Sequence, residues 1–250
     1  MSSEQAILDA FRRDGVVHLN GYLGAAEIDE LSSNFDRYIA EIVPKLPPAD
    51  AFYEVNGTER ALKQMQRITD HDPYFDELRR RPKFVGLAEL LLEGPVRSEG
   101  VEWFNNPARI GKPTPPHQDG YYFCLEPNEA VTIWIALEDV DEQNGCVRYA
   151  TGSHRQGIRQ HGRSEVLGFS QTVRDFGPAD RAREFIGVVQ RGDALVHHSC
   201  TIHWAEANQS NRSRRAAGLV YYAQRARRDE AAFARYMQSS RNQQQALGAI

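Results

Sequence analysis

The sequence predicts a mainly β chain with flanking helices, built on an antiparallel sandwich or jelly roll. Three observations predict it. From Val96 onward, short apolar or aromatic runs alternate with turn residues. Before Val96, apolar residues recur at helical spacing between prolines and glycines. The 250 residues, 41% apolar and 26% charged, have globular composition, which excludes a disordered or fibrous chain. One domain over 1–250 is expected: mostly helical support over 1–95, a jelly-roll core over 96–224 and a helical segment over 225–250.

The elements follow in order. Ser2 and Gln5 form a capping box ahead of Ala6, Ile7, Ala10 and Phe11. Gly15 ends that helix and residues 16–19 read as a short strand. A longer helix over 25–43 carries Ile28, Leu31, Phe35, Tyr38, Ile39 and Ile42 on one face. Pro44, Pro47 and Pro48 stop it. Asn56 and Gly57 signal a hairpin turn. Helices near 73–80 and 82–92 each open on a proline. Strands are expected over 101–105, 120–124, 130–137, 146–149, 194–198 and 216–222. The polar, glycine-punctuated segment 157–178 is expected to be a long loop that closes over the site, with His161, Arg163 and Glu165 toward the substrate. Arg225, Arg227 and Arg228 read as a solvated helix face.

Composition narrows the function classes. A formal net charge of −4 gives no reason to expect nucleic acid. No apolar run approaches the length of a membrane span, and the start has neither the basic residues nor the apolar run of a signal peptide. Cys124, Cys146 and Cys200 form no CxxC pair and leave one over, so a reducing cytoplasm is the expected home.

Chemistry concentrates in two segments. The first is Pro115, Pro116, His117, Gln118, Asp119, Gly120. On a strand, His117 and Asp119 share a face and offer an imidazole and a carboxylate to one metal ion. A third ligand from another strand would complete a two-His, one-carboxylate face, leaving positions open on iron(II). Such a pair is common by chance, and its plain alternative is a surface His and Asp. The second segment runs from Gly192 through an apolar strand to His197, His198 and His203. Eleven residues later comes Arg214, whose guanidinium can clamp a carboxylate through two parallel hydrogen bonds. A metal triad with an arginine clamp is what a chelating 2-oxo diacid needs.

The chain resembles the phytanoyl-CoA dioxygenase family of iron(II)/2-oxoglutarate oxygenases. The resemblance rests on residues 11–23, 116–119 and 134–141, on Asn144-Gly145-Cys146 and Gly152-Ser153-His154, and on His198, His203 and Arg214, in family order and spacing. It implies a double-stranded β-helix, a cupin-like jelly roll with helices packed outside. It implies His117, Asp119 and His203 as iron ligands and Arg214, rather than Arg215, as the 2-oxoglutarate arginine. It places Thr132 as a hydroxyl donor and Trp134 as a wall beside the co-substrate, with Phe104 on the pocket floor. Lys63, Gln64 and Gln66 sit where some relatives reach the co-substrate, and the sequence does not choose among them. His198 is expected to support the site, with His197 on the opposite face. Tyr121 is expected to point inward with the ligands by strand parity.

The leading expectation is therefore an oxygenase using iron(II), 2-oxoglutarate and dioxygen to oxidise a C–H bond, by hydroxylation or oxidative cyclisation. Related halogenases replace the ligand carboxylate with a small residue; Asp119 is present, which disfavours halogenation. Glu102, Arg109, His161 and Arg163 near the expected mouth favour a small polar substrate, such as an antibiotic sugar. The alternatives are a non-catalytic jelly-roll binding protein, a hydroxylase of an acyl-CoA and a zinc hydrolase. Arg214 has no evident use in the last.

Overall fold

The structure, a computed structural model, describes residues 3–166 and 169–246; Ser2 of the expected capping box lies outside them. Along the chain run α1 (Ser3–Asp14), β1 (Val16–Leu19), α2 (Ala25–Glu41), β2 (Ala51–Asn56), β3 (Glu59–Met65), α3 (Ile68–His71), α4 (Pro73–Leu78), α5 (Pro82–Leu92), β4 (Val96–Asn106), β5 (Thr114–His117), α6 (Asp119–Phe123), β6 (Leu125–Glu126), β7 (Ala130–Ala136) and β8 (Val147–Ala150). There follow β9 (His161–Val166), β10 (Phe169–Val173), α7 (Pro178–Arg181), β11 (Glu184–Ile186), β12 (Ala194–His198), β13 (His203–Ala205), β14 (Arg214–Ala223), β15 (Arg227–Arg228) and α8 (Glu230–Ala246). Among the described residues no helix is long and apolar enough to cross a membrane.

Two antiparallel sheets make the jelly roll. The larger has the order β1-β12-β7-β14-β4-β3-β2, the smaller β11-β8-β13-β5. Helices cover the outer face of the larger sheet. Ile28, Leu31, Phe35 and Tyr38 of α2 point into one cluster with Phe75, Phe84, Leu91, Val131, Ile133, Ile135 and Leu219. Each such side chain, fully buried, contributes roughly 1.5–3 kcal/mol. Alternate residues of β7 turn the other way: Trp134 and Ala136 join Leu195, Ala216, Val147 and Tyr149 between the sheets. Burial on both faces explains why β7 reads as an unbroken apolar run.

Register decides which side chains look between the sheets. His197 pairs with Thr132, and Thr132 with Val220. Trp134 pairs with Gly218, and Gly218 with Glu102. Ala216 pairs with Phe104, and Phe104 with Gln64. Three rows of inward residues thus cross the larger sheet. Gly218 is needed in the middle row, because a Cβ there would lie 2.8 Å from the Phe104 ring.

Three expectations need correction. Residues 119–123 form helix α6, because backbone bonds there run locally, as from Cys124 N–H to the Gly120 carbonyl. Segment 157–178 is largely the β9–β10 hairpin rather than an irregular loop; the Thr172 hydroxyl donates to the Pro116 carbonyl (2.9 Å) and ties it to β5. Arg227 and Arg228 lie on strand β15 against β6, with Arg228 paired to Glu99 at 2.7 Å, not on a helix face. The strands among the first 95 residues, β1, β2 and β3, belong to the larger sheet.

Candidate active site

Strand β5 ends at His117, and its neighbour β13 places His203 directly opposite. Their rings lie 4.1 Å apart. Asp119 opens α6 just beyond. Its Oδ1 sits 3.6 Å from His117 Nε2 and 3.5 Å from His203 Nε2. One ligand atom from each residue falls within 4.8 Å of the others. His117 and Asp119 therefore converge across a strand-to-helix junction, not along a continuous strand.

That junction is held by a residue the sequence reading passed over. Gln118 is fully buried and donates through Nε2 to the carbonyls of Gly157 (2.8 Å) and Cys200 (2.6 Å). Its Oε1 accepts from Arg159 N–H at 2.8 Å.

The two imidazoles share one hydrogen-bonding pattern. His117 Nδ1–H donates to the Pro115 carbonyl (2.8 Å), and His203 Nδ1–H to the Thr201 carbonyl (3.0 Å). A proton on Nδ1 leaves a lone pair on Nε2, the atom turned toward Asp119. Burial lowers the pKa of both rings and keeps them neutral. Burial alone would raise Asp119; the facing His203, His197 and His117 rings outweigh it and hold the carboxyl well below its usual range. Neutral imidazoles with an ionised carboxylate are the donor set that a divalent metal requires.

A cavity of about 180 Å³ opens beside the triad and runs between the sheets to Arg214. Arg214 is buried (6% exposed), and its Nε has no hydrogen-bond partner. No carboxylate pairs with it among the described residues; its guanidinium carbon lies 5.6 Å from the centre of the Trp134 ring. Burial pushes it down to about 10, so it stays charged at neutral pH. A buried cation without a counter-ion is costly, and an incoming carboxylate would meet that cost. Arg215, one residue on, faces outward and pairs with Glu138 (2.7 Å) and Asp36 (3.0 Å).

The cavity wall on the larger sheet carries Thr132, Trp134, Phe104 and Glu102. The Thr132 hydroxyl donates to Asp119 Oδ2 at 3.0 Å, so it supports the carboxylate while lining the cavity. Glu102 receives a hydrogen bond from Gln64 (3.3 Å), and no cation pairs with it among the described residues. Burial and then the charge of Asp119 push its carboxyl up to about 7, against the pull of Gln64. Of the three residues left open on β3 and just after it, all line the cavity. Lys63 is bonded to Glu54 (2.8 Å), whereas Gln64 keeps a buried Oε1 without a partner.

The sequence profile of the Phytanoyl-CoA dioxygenase (PhyH) family matches residues 11–216. The chain belongs to the phytanoyl-CoA dioxygenase family. Phytanoyl-CoA dioxygenase domain-containing protein 1 of Mus musculus is 32% identical over 151 residues, 58% of this chain and 52% of that protein. The match thus spans about half the length of the mouse relative. Phytanoyl-CoA dioxygenase of Arabidopsis thaliana is 27% identical over 248 residues, covering 85% of this chain and 86% of that one. The fold is that of the epimerase SnoN, solved in complex with Fe3+, alpha ketoglutarate and nogalamycin RO. The TM-score is 0.75 at 24% identity, with 90% of this chain and 85% of that chain covered.

Within this phytanoyl-CoA dioxygenase fold, several residues stand elsewhere than the sequence placed them. Tyr121, His161 and Arg163 do not line the cavity. On a helix, Tyr121 lies about 200° around the axis from Asp119, whereas Tyr122 lies within about 60° of it. Tyr122 accordingly lines the cavity, with its ring 5.9 Å from His117. Tyr121 stacks on His161 at 4.2 Å. His161 is buried; its Nδ1–H donates to the Arg159 carbonyl and its Nε2 accepts from Gln118 N–H. Arg163 sits on β9 opposite Gln171. Glu165, the third polar group named on that segment, has its side chain outside the described set. Arg109 is exposed and also off the cavity. His197, not His198, faces the site, because its register partner Thr132 does. His198 turns outward, between Phe11 and His154. Tyr236 of α8 reaches the cavity from the far end of the chain, its ring 5.4 Å from Tyr122.

Proposed function

We propose that this chain is an iron(II)- and 2-oxoglutarate-dependent oxygenase of a small polar metabolite. One observation carries the reading: a triad of neutral imidazoles and an ionised carboxylate shares a cavity with a buried arginine that has no counter-ion among the described residues. His117, Asp119 and His203 would hold the iron, and Arg214 would take the distal carboxylate of 2-oxoglutarate, with Trp134 and Phe104 as walls. The bound iron supplies dioxygen chemistry: 2-oxoglutarate, dioxygen and a C–H bond give succinate, carbon dioxide and a C–OH group. The protein's own part is to orient and to exclude water. The apolar rows on β7, β12 and β14 dry the inner end, which strengthens the arginine–carboxylate contact.

The substrate would enter on the side of Glu102, Gln64, Tyr122 and Tyr236. Glu102 and the free Gln64 Oε1 are acceptors, so a ligand rich in hydroxyl or amine donors fits better than a plain acyl chain. SnoN was solved with nogalamycin RO bound, and we extend an antibiotic-tailoring role to this chain as part of the proposal. The three free thiols are in keeping with a cytoplasmic setting.

Anaerobic addition of iron(II) and then 2-oxoglutarate should produce a weak visible charge-transfer band. A metabolite screen read as succinate formation should then find donor-rich substrates. A protein that binds iron(II) but gives no band with 2-oxoglutarate is a metal hydrolase or a binding protein instead.

A further inference from the structure

We propose that His197 is a positioning residue for the metal: it holds Asp119 Oδ2 so that the carboxylate presents only Oδ1 to the ion. The proposal rests on the triad reading above. His197 is buried (2% exposed) on the inward face of β12. Its Nε2 lies 3.1 Å from Asp119 Oδ2, and its Nδ1 lies 3.4 Å from the Tyr149 hydroxyl. An ionised carboxylate can only accept, so Nε2 carries the proton. Nδ1 is then the acceptor, and the Tyr149 O–H donates to it. Thr132, directly opposite His197 in the register, donates its hydroxyl to the same Oδ2 at 3.0 Å.

Two donors from adjacent strands of the larger sheet thus occupy one carboxylate oxygen. The other oxygen faces His117 Nε2 and His203 Nε2 from the smaller sheet. A carboxylate gripped in this way would offer an ion its other oxygen, Oδ1, rather than swing to chelate. His197 is not a fourth ligand in this arrangement. Its inward nitrogen is a donor spent on Oδ2, whereas the imidazoles of His117 and His203 spend their Nδ1–H on backbone carbonyls and turn Nε2 toward Oδ1.

The test is Mn(II) titration of the whole protein by calorimetry, with thermal unfolding of every variant and Co(II) absorption as a second readout. His197→Ala should weaken Mn(II) by roughly 10- to 100-fold, the usual cost of an outer partner. The Co(II) band intensity should persist, because the ligand count is unchanged. His197→Gln, whose Nε2–H can still donate to Oδ2, should recover affinity to within about threefold of wild type. His117→Ala, a ligand variant, should lose far more. Unchanged affinity in His197→Ala would overturn the proposal, since any loss would then be one of stability alone. So would a loss equal to that of His117→Ala with no recovery in His197→Gln, which would make His197 a ligand. If wild type itself takes up no Mn(II), the triad reading falls first and this proposal with it.

Discussion

The two sheets around the cavity hold their functional side chains by different means. The larger sheet is buried on both faces at its centre, where every residue of β7 is buried. Its inward side chains are placed by the registry of long strands, so Thr132, Trp134, Glu102, Phe104 and His197 take positions set by ladder pairing. The smaller sheet has short strands, and its edge strand β11 is half-exposed, with Ile186 at the surface. Its two imidazoles are instead fixed locally, each by a hydrogen bond to a carbonyl two residues back. One wall is stiff through cooperative packing, the other through individual clamps. Damage to the first should spread, whereas damage to the second should stay local.

The largest effect belongs to the clamped wall. His203→Ala or His117→Ala should cost more than the ~10–100-fold in metal affinity that an outer partner costs. Thermal unfolding should stay near wild type, because the lost ring borders a cavity and its neighbours keep their own backbone bonds. Mn(II) calorimetry with a parallel melt checks both. A large drop in melting temperature would mean that the imidazoles also hold the small sheet together.

Next comes the registered wall. A charge-assisted bidentate contact in a partly dry site contributes on the order of 2–4 kcal/mol. Arg214→Ala should therefore raise the 2-oxoglutarate dissociation constant by roughly 30- to 1,000-fold. Arg215→Ala should leave it unchanged and cost under about 1 kcal/mol of stability, as partly exposed ion pairs do. Equilibrium titration of the charge-transfer band separates the two. A reversed pattern would mean that β14 is shifted by one residue, and the whole inward row with it.

These positions differ in how readable they were. That His117, Asp119, His203 and Arg214 would gather at one cavity was legible because each sits in a short-range pattern: a His-x-Asp pair, a strand leading to a last histidine, an arginine at fixed spacing. Arg214 and Arg215 could be told apart by the resemblance, and the ladder puts them on opposite faces. His197 and His198 could not, since a two-histidine run on a strand has no parity until its partner strand is known. The period-two reading of 119–123 failed because an aromatic run suits helix or strand, and a five-residue helix leaves no periodic trace. The β9–β10 hairpin was hidden because its strands do not alternate apolar with polar. Tyr236 was unreadable, because it meets Tyr122 only through tertiary packing across more than 100 residues of chain.

A smaller effect probes how tightly the registered wall is filled. At Gly218 a Cβ would lie 2.8 Å from Phe104 Cε2, so the ring must give way toward the cavity. Gly218→Ala should cost about 1–3 kcal/mol, the usual range for overpacking. It should also weaken 2-oxoglutarate, because the displaced ring enters the space beside Trp134. Loss of stability with unchanged 2-oxoglutarate binding would show that Phe104 moves away from the cavity, not into it.

The smallest and most specific prediction concerns Glu102, the acid on the registered wall that has no cation partner among the described residues. Its folded-state carboxyl sits at about 7, above the unfolded value near 4.5, because it is buried and faces Asp119. The folded state therefore holds a proton that the unfolded state has already released between those values. Stability falls as pH rises wherever the folded state binds more protons. Below about 4.5 both states are protonated and Glu102 contributes no slope. Between 4.5 and 7 it should lower stability progressively, and above 7 the loss levels off at an order of 1–3 kcal/mol. Glu102→Gln keeps the shape and the Gln64 contact but removes the titration. Urea melts at pH 5 and pH 8 should show the variant gaining on wild type at the higher pH, while the two nearly match at the lower. Other groups titrate in the same window, so the difference between the two proteins is the quantity to read. Equal pH slopes would mean that Glu102 ionises freely in the fold, with water or a cation at the cavity mouth already compensating its charge.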